Sequence, residues 1–455
     1  MKWPLVRPLA MWLPMVAAAT YATDVSEAGP GLQATPTLTE LVHSFFRSND
    51  GQKRAPLIPA IEDAADGSIE AVAEAVKEVQ VWPAIPASRG TFSFESGAER
   101  VIEVAYQLPT GYDSTAAYPV IICMSDRGMS SRHTFEHARE ALGDAIDEFV
   151  LVCPVRPVGG KFHQPVEAAS DLRRLVRRAR RQIHTDTDHV FLFGSAAGGQ
   201  SVWMAAIAHP DLFAGVVVLS SYPDVPYPQQ FYPFLLENLR ALPVLTVWTA
   251  ADNPPTTIRQ ALIAAHNQAI VALAERAALP IVGVEIHGSV PGDLKPPPGE
   301  VAAVLSRRRA APGGSVSHWF RYPGQGHTGW LKQTRFTGDL WDADQLSIVA
   351  SPSVDRDRFI AEVIRERLAY LGGRIDGQTI TIETQRCERI ELLLPYGLLD
   401  PSLPITIRCN GKRRHSGGIR PSIHTLLETA YEQWEFQRLT AARRSFSIKA
   451  DGAPP

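Results

Sequence analysis

From residue 101 onward, short apolar runs alternate with longer amphipathic stretches. Residues 101–108 alternate apolar and polar positions, the pattern of an exposed-edge strand. Residues 120–124 are a continuous apolar run, and 149–153, 190–193, 215–219, 244–248 and 281–286 are short, mainly apolar stretches. Such runs predict strands covered on both faces. Helical spacing predicts helices over 133–148, 166–183, 200–208, 229–239, 258–278 and 301–309. This alternation implies an α/β domain over 91–310 with a doubly wound, mostly parallel sheet. Ahead of it, 23–90 reads as a helical segment, with Ser68 the N-cap of a helix over 68–79. After the Ala-Pro-Gly-Gly tract at 311–314 the period falls toward two. Strands are predicted at 319–322, 329–333, 345–350, 379–383, 390–394 and 405–409, with helices at 356–371 and 423–431. These elements make a C-terminal β-rich module over 315–450, and Asn410-Gly411 suits a type I′ hairpin turn within it.

The charge balance, 45 Lys and Arg against 48 Asp and Glu, gives −3. No global field draws the chain to nucleic acid or an anionic surface, so no nucleic-acid partner is expected. Residues 1–22 combine Lys2 and Arg7, a short apolar stretch and a small-residue exit, as in a secretory signal peptide. Export to the periplasm or the medium is therefore expected, with no transmembrane segment in the mature chain. Four cysteines are too few for a disulfide scaffold. Antiparallel pairing of the runs around Cys387 and Cys409 brings those two opposite each other, with two buried thiols the expected state. Arg173, Arg174, Arg177, Arg178, Arg180 and Arg181 fall opposite the apolar stripe of their helix, which predicts a solvated face.

The densest chemistry lies in Val190-Phe-Leu-Phe-Gly-Ser-Ala-Ala-Gly-Gly-Gln200. A strand entering a glycine-flanked tight turn and leaving as a helix has the geometry of a nucleophile elbow. The chain here resembles the α/β-hydrolase family, in the exported esterase and peptidase-like branch related to polyhydroxybutyrate depolymerases and dienelactone hydrolases. The resemblance covers about residues 90–310. It implies that Gly194 and Gly198 are the elbow glycines and that Ala196 stands where the family has its nucleophilic serine. Ser195 is one residue early, and Ser201 lies further along, in the following helix.

The resemblance also implies an acid after the strand at 244–248, where Asp252 falls. The structural role open to that aspartate is an N-cap in the turn before a helix. A histidine is implied between 286 and 301; that loop holds none beyond His287 at its start. His327 lies in a Gly-His pair but belongs to the β-rich module. The oxyanion hole is implied after 120–124, where the family's His-Gly-Gly is replaced by Ser125-Asp-Arg-Gly128. Ser125, Asp126, Arg127, Ala197 and Tyr222 are thus the candidate oxyanion and cleft residues, with Tyr227, Tyr232 and Trp248 as further lining aromatics. A carboxylate at Asp126 opposes a developing oxyanion.

Two readings follow. In the first, loss of the nucleophile, worth on the order of 10⁶ in rate, leaves a serine-hydrolase relative that binds a small-molecule or peptide ligand, or a partner, in the old cleft. In the second, an ester or peptide-bond hydrolase works with a displaced set, Ser195 or Ser201 with His287 or His327 and Asp252. Metal-assisted hydrolysis lacks a ligand pair, because Asp126, Asp252 and Asp293 stand among scattered histidines. No cofactor is expected.

Overall fold

The computed structural model describes residues 36–85, 87–97, 99–155, 170–250, 258–287, 294–311, 313–338 and 355–448. From Leu38 the chain forms helices α1 (Leu38–Arg47), α2 (Gly51–Arg54), α3 (Leu57–Ala64) and α4 (Ile69–Lys77). Ser68 caps α4 by accepting from the Ala71 N–H at 3.1 Å. The central sheet then follows: β1 (Arg89–Glu95), β2 (Val101–Gln107), β3 (Tyr118–Met124), β4 (Val150–Pro154), β5 (Thr185–Ser195), β6 (Gly215–Leu219), β7 (Val244–Thr249) and β8 (Ile281–Ile286). Its order is β1-β2-β4-β3-β5-β6-β7-β8. β2 is antiparallel to both neighbours, and β3 to β8 run parallel.

The helices between these strands are α5 (Ser131–Leu142), α6 (Asp171–Gln182), α7 (Ala196–Ala208), α8 (Pro228–Leu235), α9 (Ile258–Ala277) and α10 (Pro298–Leu305). Strand alternation divides the core. Ile122, Val152, Leu192 and Val218 pack with α6, α7, α8 and α9, while Ile121, Leu151, Phe193 and Val247 pack with α5 and α10. A parallel sheet buried on both faces explains the continuous apolar runs of its strands.

The C-terminal region is a two-sheet sandwich. One sheet has the order β16-β15-β13-β12-β9 and contains β9 (Ser315–Phe320), β12 (Ala369–Asp376), β13 (Thr379–Gln385), β15 (Ile405–Cys409) and β16 (Lys412–Gly417). The other, β10-β11-β14-β17, contains β10 (His327–Thr328), β11 (Leu331–Phe336), β14 (Cys387–Pro395) and β17 (Thr440–Ser447). Helices α11 (Arg356–Arg367) and α12 (Ile423–Gln433) complete it. Asn410 and Gly411 both have positive φ, 49° and 75°, as a type I′ turn between β15 and β16 requires. Cys387 and Cys409 correct the expected strand pairing: β14 and β15 belong to different sheets. Both are free thiols in the core between those sheets. The helix expected to reach residue 371 stops at Arg367, and Ala369 begins β12. The strand expected at 345–350 lies outside the described residues.

Sequence periodicity also misread the arginine face of α6. Arg180 is buried, its guanidinium 3.3 Å from Glu435. Arg181 stacks over Tyr431 and Trp434, with its guanidinium carbon 4.4 and 4.5 Å from the ring centroids. Arg173 pairs with Asp211 at 2.6 Å. The physical reason is that amphipathicity reports which side of a helix avoids its own sheet; it says nothing of what another part of the chain brings to the far side. Here residues 431–438 cover the part of it that holds Arg180 and Arg181. They also belong to a hydrophobic cluster in which Phe45, Phe46, Ile61 and Val72 of the N-terminal helices pack on Leu426, Leu427, Tyr431 and Trp434. The N-terminal helices and α12 therefore share one core.

Candidate active site

β5 ends at Ser195, in extended conformation with φ −122° and ψ 156°. The chain enters α7 through Ala196, whose φ is +47°. For a residue with a Cβ this left-handed position costs roughly 1–3 kcal/mol and persists only when its surroundings enforce it. They do so through close packing. A Cβ on Gly198 would sit 2.1 Å from the Met124 carbonyl oxygen, and one on Gly194 would sit 2.8 Å from the Gly198 carbonyl carbon. Ser221 Oγ donates to the Ala196 carbonyl at 2.8 Å, and Asn267 Nδ2 donates to the Ser221 carbonyl at 3.0 Å. The sharp apex of the elbow is thus fully built, and it carries a methyl group.

Ser195 lies on the strand side of the apex, on the face of the sheet that Phe193 occupies by strand alternation. Among the described residues no side chain hydrogen-bonds its hydroxyl. Ser201 is buried in α7, and its Oγ donates to the Ala197 carbonyl at 3.4 Å, one turn back. Among the described residues neither serine is brought to an imidazole.

Ser125 is buried at the end of β3, Asp126 is half-buried and Arg127 is exposed. Asp126 Oδ1 accepts the Arg127 N–H at 2.7 Å and the Ala197 N–H at 3.2 Å. Ala197 follows the apex, and Arg127 lies in the loop after β3. These are the two places from which this architecture draws its oxyanion donors. One carboxylate oxygen holds both amides, so a full negative charge stands where an acyl-transfer intermediate would need to develop one.

The histidine candidates are spread apart. His287 is exposed just beyond β8, three strand spacings, about 14 Å, across the sheet from β5. The His327 carbonyl accepts from Arg173 Nη2 at 2.6 Å, and the same nitrogen pairs with Asp211. Asp211 follows the C-terminus of α7, and 13 helical residues separate that end from Ala196 by about 20 Å. His327 therefore belongs to the far side of the domain. Asp252 and Asp293 lie outside the described residues.

The far cluster carries a pH signature. Burial, with Arg173 adding to it, holds the His327 imidazole well below its ordinary value. Burial pushes His318 down to about 4, against a smaller upward pull from its bond to the Gln325 carbonyl. For Asp211, burial raises the carboxyl, but Arg173, His327 and His209 outweigh it and hold it at about 2. A depressed histidine favours folding above the unfolded value of about 6.5 and withdraws that support as the pH falls toward 4; for His318 the loss is about 3 kcal/mol. A depressed carboxylate contributes above about 4 and loses its contribution on the way to 2. Urea-unfolding free energy is thus expected to fall steadily from pH 6.5 to pH 3. A rise anywhere between pH 6.5 and 4 contradicts the burial of neutral histidines here.

Beside the elbow, Tyr222 stacks on His266, with ring centroids 4.1 Å apart, and the Tyr232 hydroxyl lies 3.0 Å from His266 Nδ1. Burial lowers the pKa of His266, favouring the neutral ring. Trp248 packs with Tyr222, Ile263 and Ala264, and its buried indole N–H has no hydrogen-bond partner among the described residues. Ser220, at the end of β6, also has φ +47° and a buried hydroxyl without a hydrogen-bond partner among the described residues. Sequence reasoning found the aromatics but missed His266, which sits inside a long helix with no motif around it. Among the described residues no three His, Cys, Asp or Glu side chains group as metal ligands, and no helix is long and apolar enough to cross a membrane.

Sheet order, antiparallel β2 and the elbow between β5 and α7 define an α/β-hydrolase domain. Residues 96–269 match the family model described as Putative esterase. Among solved structures it is similar to a thermostable esterase at 14% identity and TM-score 0.39, covering 49% of this chain and 64% of that one. It is also similar to the feruloyl esterase module of Clostridium thermocellum, at 15% identity and TM-score 0.34 over 46% and 84%. An arylesterase aligns at 13% identity and TM-score 0.34 over 55% and 94%. The chain thus spans just under two thirds of the first of these. No curated protein matches the sequence.

Proposed function

We infer that this is a catalytically impaired member of the α/β-hydrolase family that binds a ligand or partner through the old cleft. The observation that carries this reading is the pairing of a methyl group at the apex, Ala196, with a carboxylate oxygen, Asp126 Oδ1, on the Ala197 and Arg127 amides. Nucleophile and oxyanion site are altered together, and each loss alone removes orders of magnitude in rate. Tyr222, Tyr232, His266 and Trp248 remain as an aromatic wall for a ligand. The leader-like residues 1–22 support export to the periplasm or the medium. Ester hydrolysis by the purified chain is expected to be unchanged by Ser195→Ala. A drop of tenfold or more in that variant, with folding intact, overturns the reading in favour of a displaced nucleophile. Cell fractionation with N-terminal sequencing tests export, and an intact Met1 on a cytosolic product contradicts it.

A further inference from the structure

The arginine row of α6 is satisfied along its two edges and not in its middle. At one edge Arg173 pairs with Asp211 and Arg180 with Glu435. At the other, Arg174 and Arg178 donate to the Glu95 and Ser93 carbonyls of β1 at 3.4 and 3.1 Å. Between them stand Arg177 and Arg181, an i, i+4 pair of like charges that repel. Arg54, the last residue of α2, joins them across Tyr431 of α12. Its guanidinium carbon lies 3.7 Å from the Tyr431 ring centroid, and that of Arg181 lies 4.4 Å from the same point.

Stacking occupies the flat face of a guanidinium and leaves its N–H edge available. Arg54 Nε, Arg177 Nε and Arg181 Nε and Nη2 are buried donors without a hydrogen-bond partner among the described residues. Arg54 gives one other N–H to the Ser48 carbonyl at 3.3 Å. Among the described residues none of the three arginines is ion-paired. The neighbouring acids are committed elsewhere: Glu432 to Arg443 at 2.7 Å, Glu435 to Arg180 and Arg309, and Asp50 to the Gln52 amide at 2.9 Å, capping α2. Burial and the Arg181 charge pull the Arg177 guanidinium below its ordinary value, against smaller upward pulls from Tyr431 and Glu432. Three half-buried cations with unmet donors and mutual repulsion are costly in the ligand-free chain. An anion seated among them removes both penalties. The planar fork of arginine takes phosphate oxygens two at a time, and three cations exceed what one carboxylate neutralises.

We propose that Arg54, Arg177 and Arg181, gathered around Tyr431, form a binding site for a phosphoryl dianion, as in a phosphate monoester or a pyrophosphate. The site is independent of the elbow and does not rest on the catalytic reading above. It draws on α2, α6 and α12, so occupancy links the N-terminal helices to the hydrolase domain.

Calorimetric titration of the full chain with sodium pyrophosphate and sodium acetate, at neutral pH and fixed ionic strength, tests this. Pyrophosphate is expected to bind about tenfold or more tightly than acetate. Arg177→Gln weakens pyrophosphate by about tenfold, while the urea midpoint of the ligand-free chain stays the same or rises, because the repulsion with Arg181 is gone. Arg181→Lys keeps the charge, loses the fork and weakens binding by about threefold or more. Arg132→Gln, on the exposed surface of α5 across the sheet, leaves the affinity unchanged. So does Ala196→Ser, which separates this site from the old cleft. Pelleting with phosphatidylcholine vesicles that carry phosphatidate, reversed by pyrophosphate, assigns the phosphoryl group to a lipid headgroup; pyrophosphate binding without pelleting assigns it to a soluble molecule. No pyrophosphate binding, acetate binding as tightly as pyrophosphate, affinity surviving Arg177→Gln, or an equal loss in Arg132→Gln overturns the proposal.

Discussion

Ala196→Ser alone is expected to leave hydrolysis of p-nitrophenyl acetate at the level of the parent chain, whereas Ala196→Ser with Asp126→Ala gains roughly 10²–10³-fold over the single variant. A serine at the apex inherits the strained φ of +47° and so stands at the mouth of the crevice. Its attack still builds negative charge beside Asp126 Oδ1, which already holds the amides of Ala197 and Arg127. Two like charges about 4 Å apart repel by roughly 4 kcal/mol at an effective dielectric of about 20, which is about a thousandfold in rate. Removing the carboxylate lifts that repulsion and frees both donors. No histidine has been placed at the apex, so the double variant remains far below a complete triad. Full activity of the single variant, or no gain in the double, means that Asp126 does not block the oxyanion site.

Glu435→Gln is expected to destabilise the protein by about 3–5 kcal/mol, the cost of leaving a buried charge without its partner. Glu435 is 3% exposed. It accepts from Arg309 at 2.6 Å, Arg180 at 3.3 Å and the Thr187 hydroxyl at 2.8 Å. Burial raises its carboxyl, but Arg309 and Arg180 outweigh burial and hold it at about 2. Arg180 fares differently: burial pulls its guanidinium down to about 10, and Glu435 restores only part of that because Arg309 and Arg438 repel it. The intact network is therefore worth little net, while breaking it is expensive. The glutamine keeps the volume and the bond to Thr187 but strands the Arg180 guanidinium and leaves Arg309 with Asp188 at 3.5 Å. Urea denaturation measures the loss, and a change below about 1 kcal/mol contradicts a closed, water-free network.

The core of the hydrolase domain was readable because its strands are buried on both faces and so spell themselves as apolar runs. The elbow was readable because close approach to Met124 and Ser221 admits only glycine at 198 and 199. The bonds that Asp126 makes were not readable, since nothing in Ser125-Asp-Arg-Gly128 says that its carboxylate folds back onto the Ala197 amide. The arginines of α6 failed for a related reason: their partners, Glu435, Tyr431 and Trp434, lie some 250 residues away along the chain. β12 and β17 escaped notice because Ala-Tyr-Leu-Gly-Gly-Arg-Ile-Asp and Thr-Ala-Ala-Arg-Arg-Ser-Phe-Ser mix glycine and charge into half-buried strands. Leu368 and Leu371 kept helical spacing past the true end of α11. His327, assigned from sequence to the β-rich module, is kept from the apex by the length of α7.

The central claim is that the apex of the elbow offers no oxygen nucleophile. Incubating the full-length chain with a fluorophosphonate probe and measuring intact mass, followed by peptide mapping, tests it directly. The protein is predicted to emerge with its mass unchanged, while a serine hydrolase treated in parallel gains one probe. A stoichiometric adduct mapped to Ser195, Ser201 or Ser220 contradicts it and makes this a working acyl-transfer enzyme.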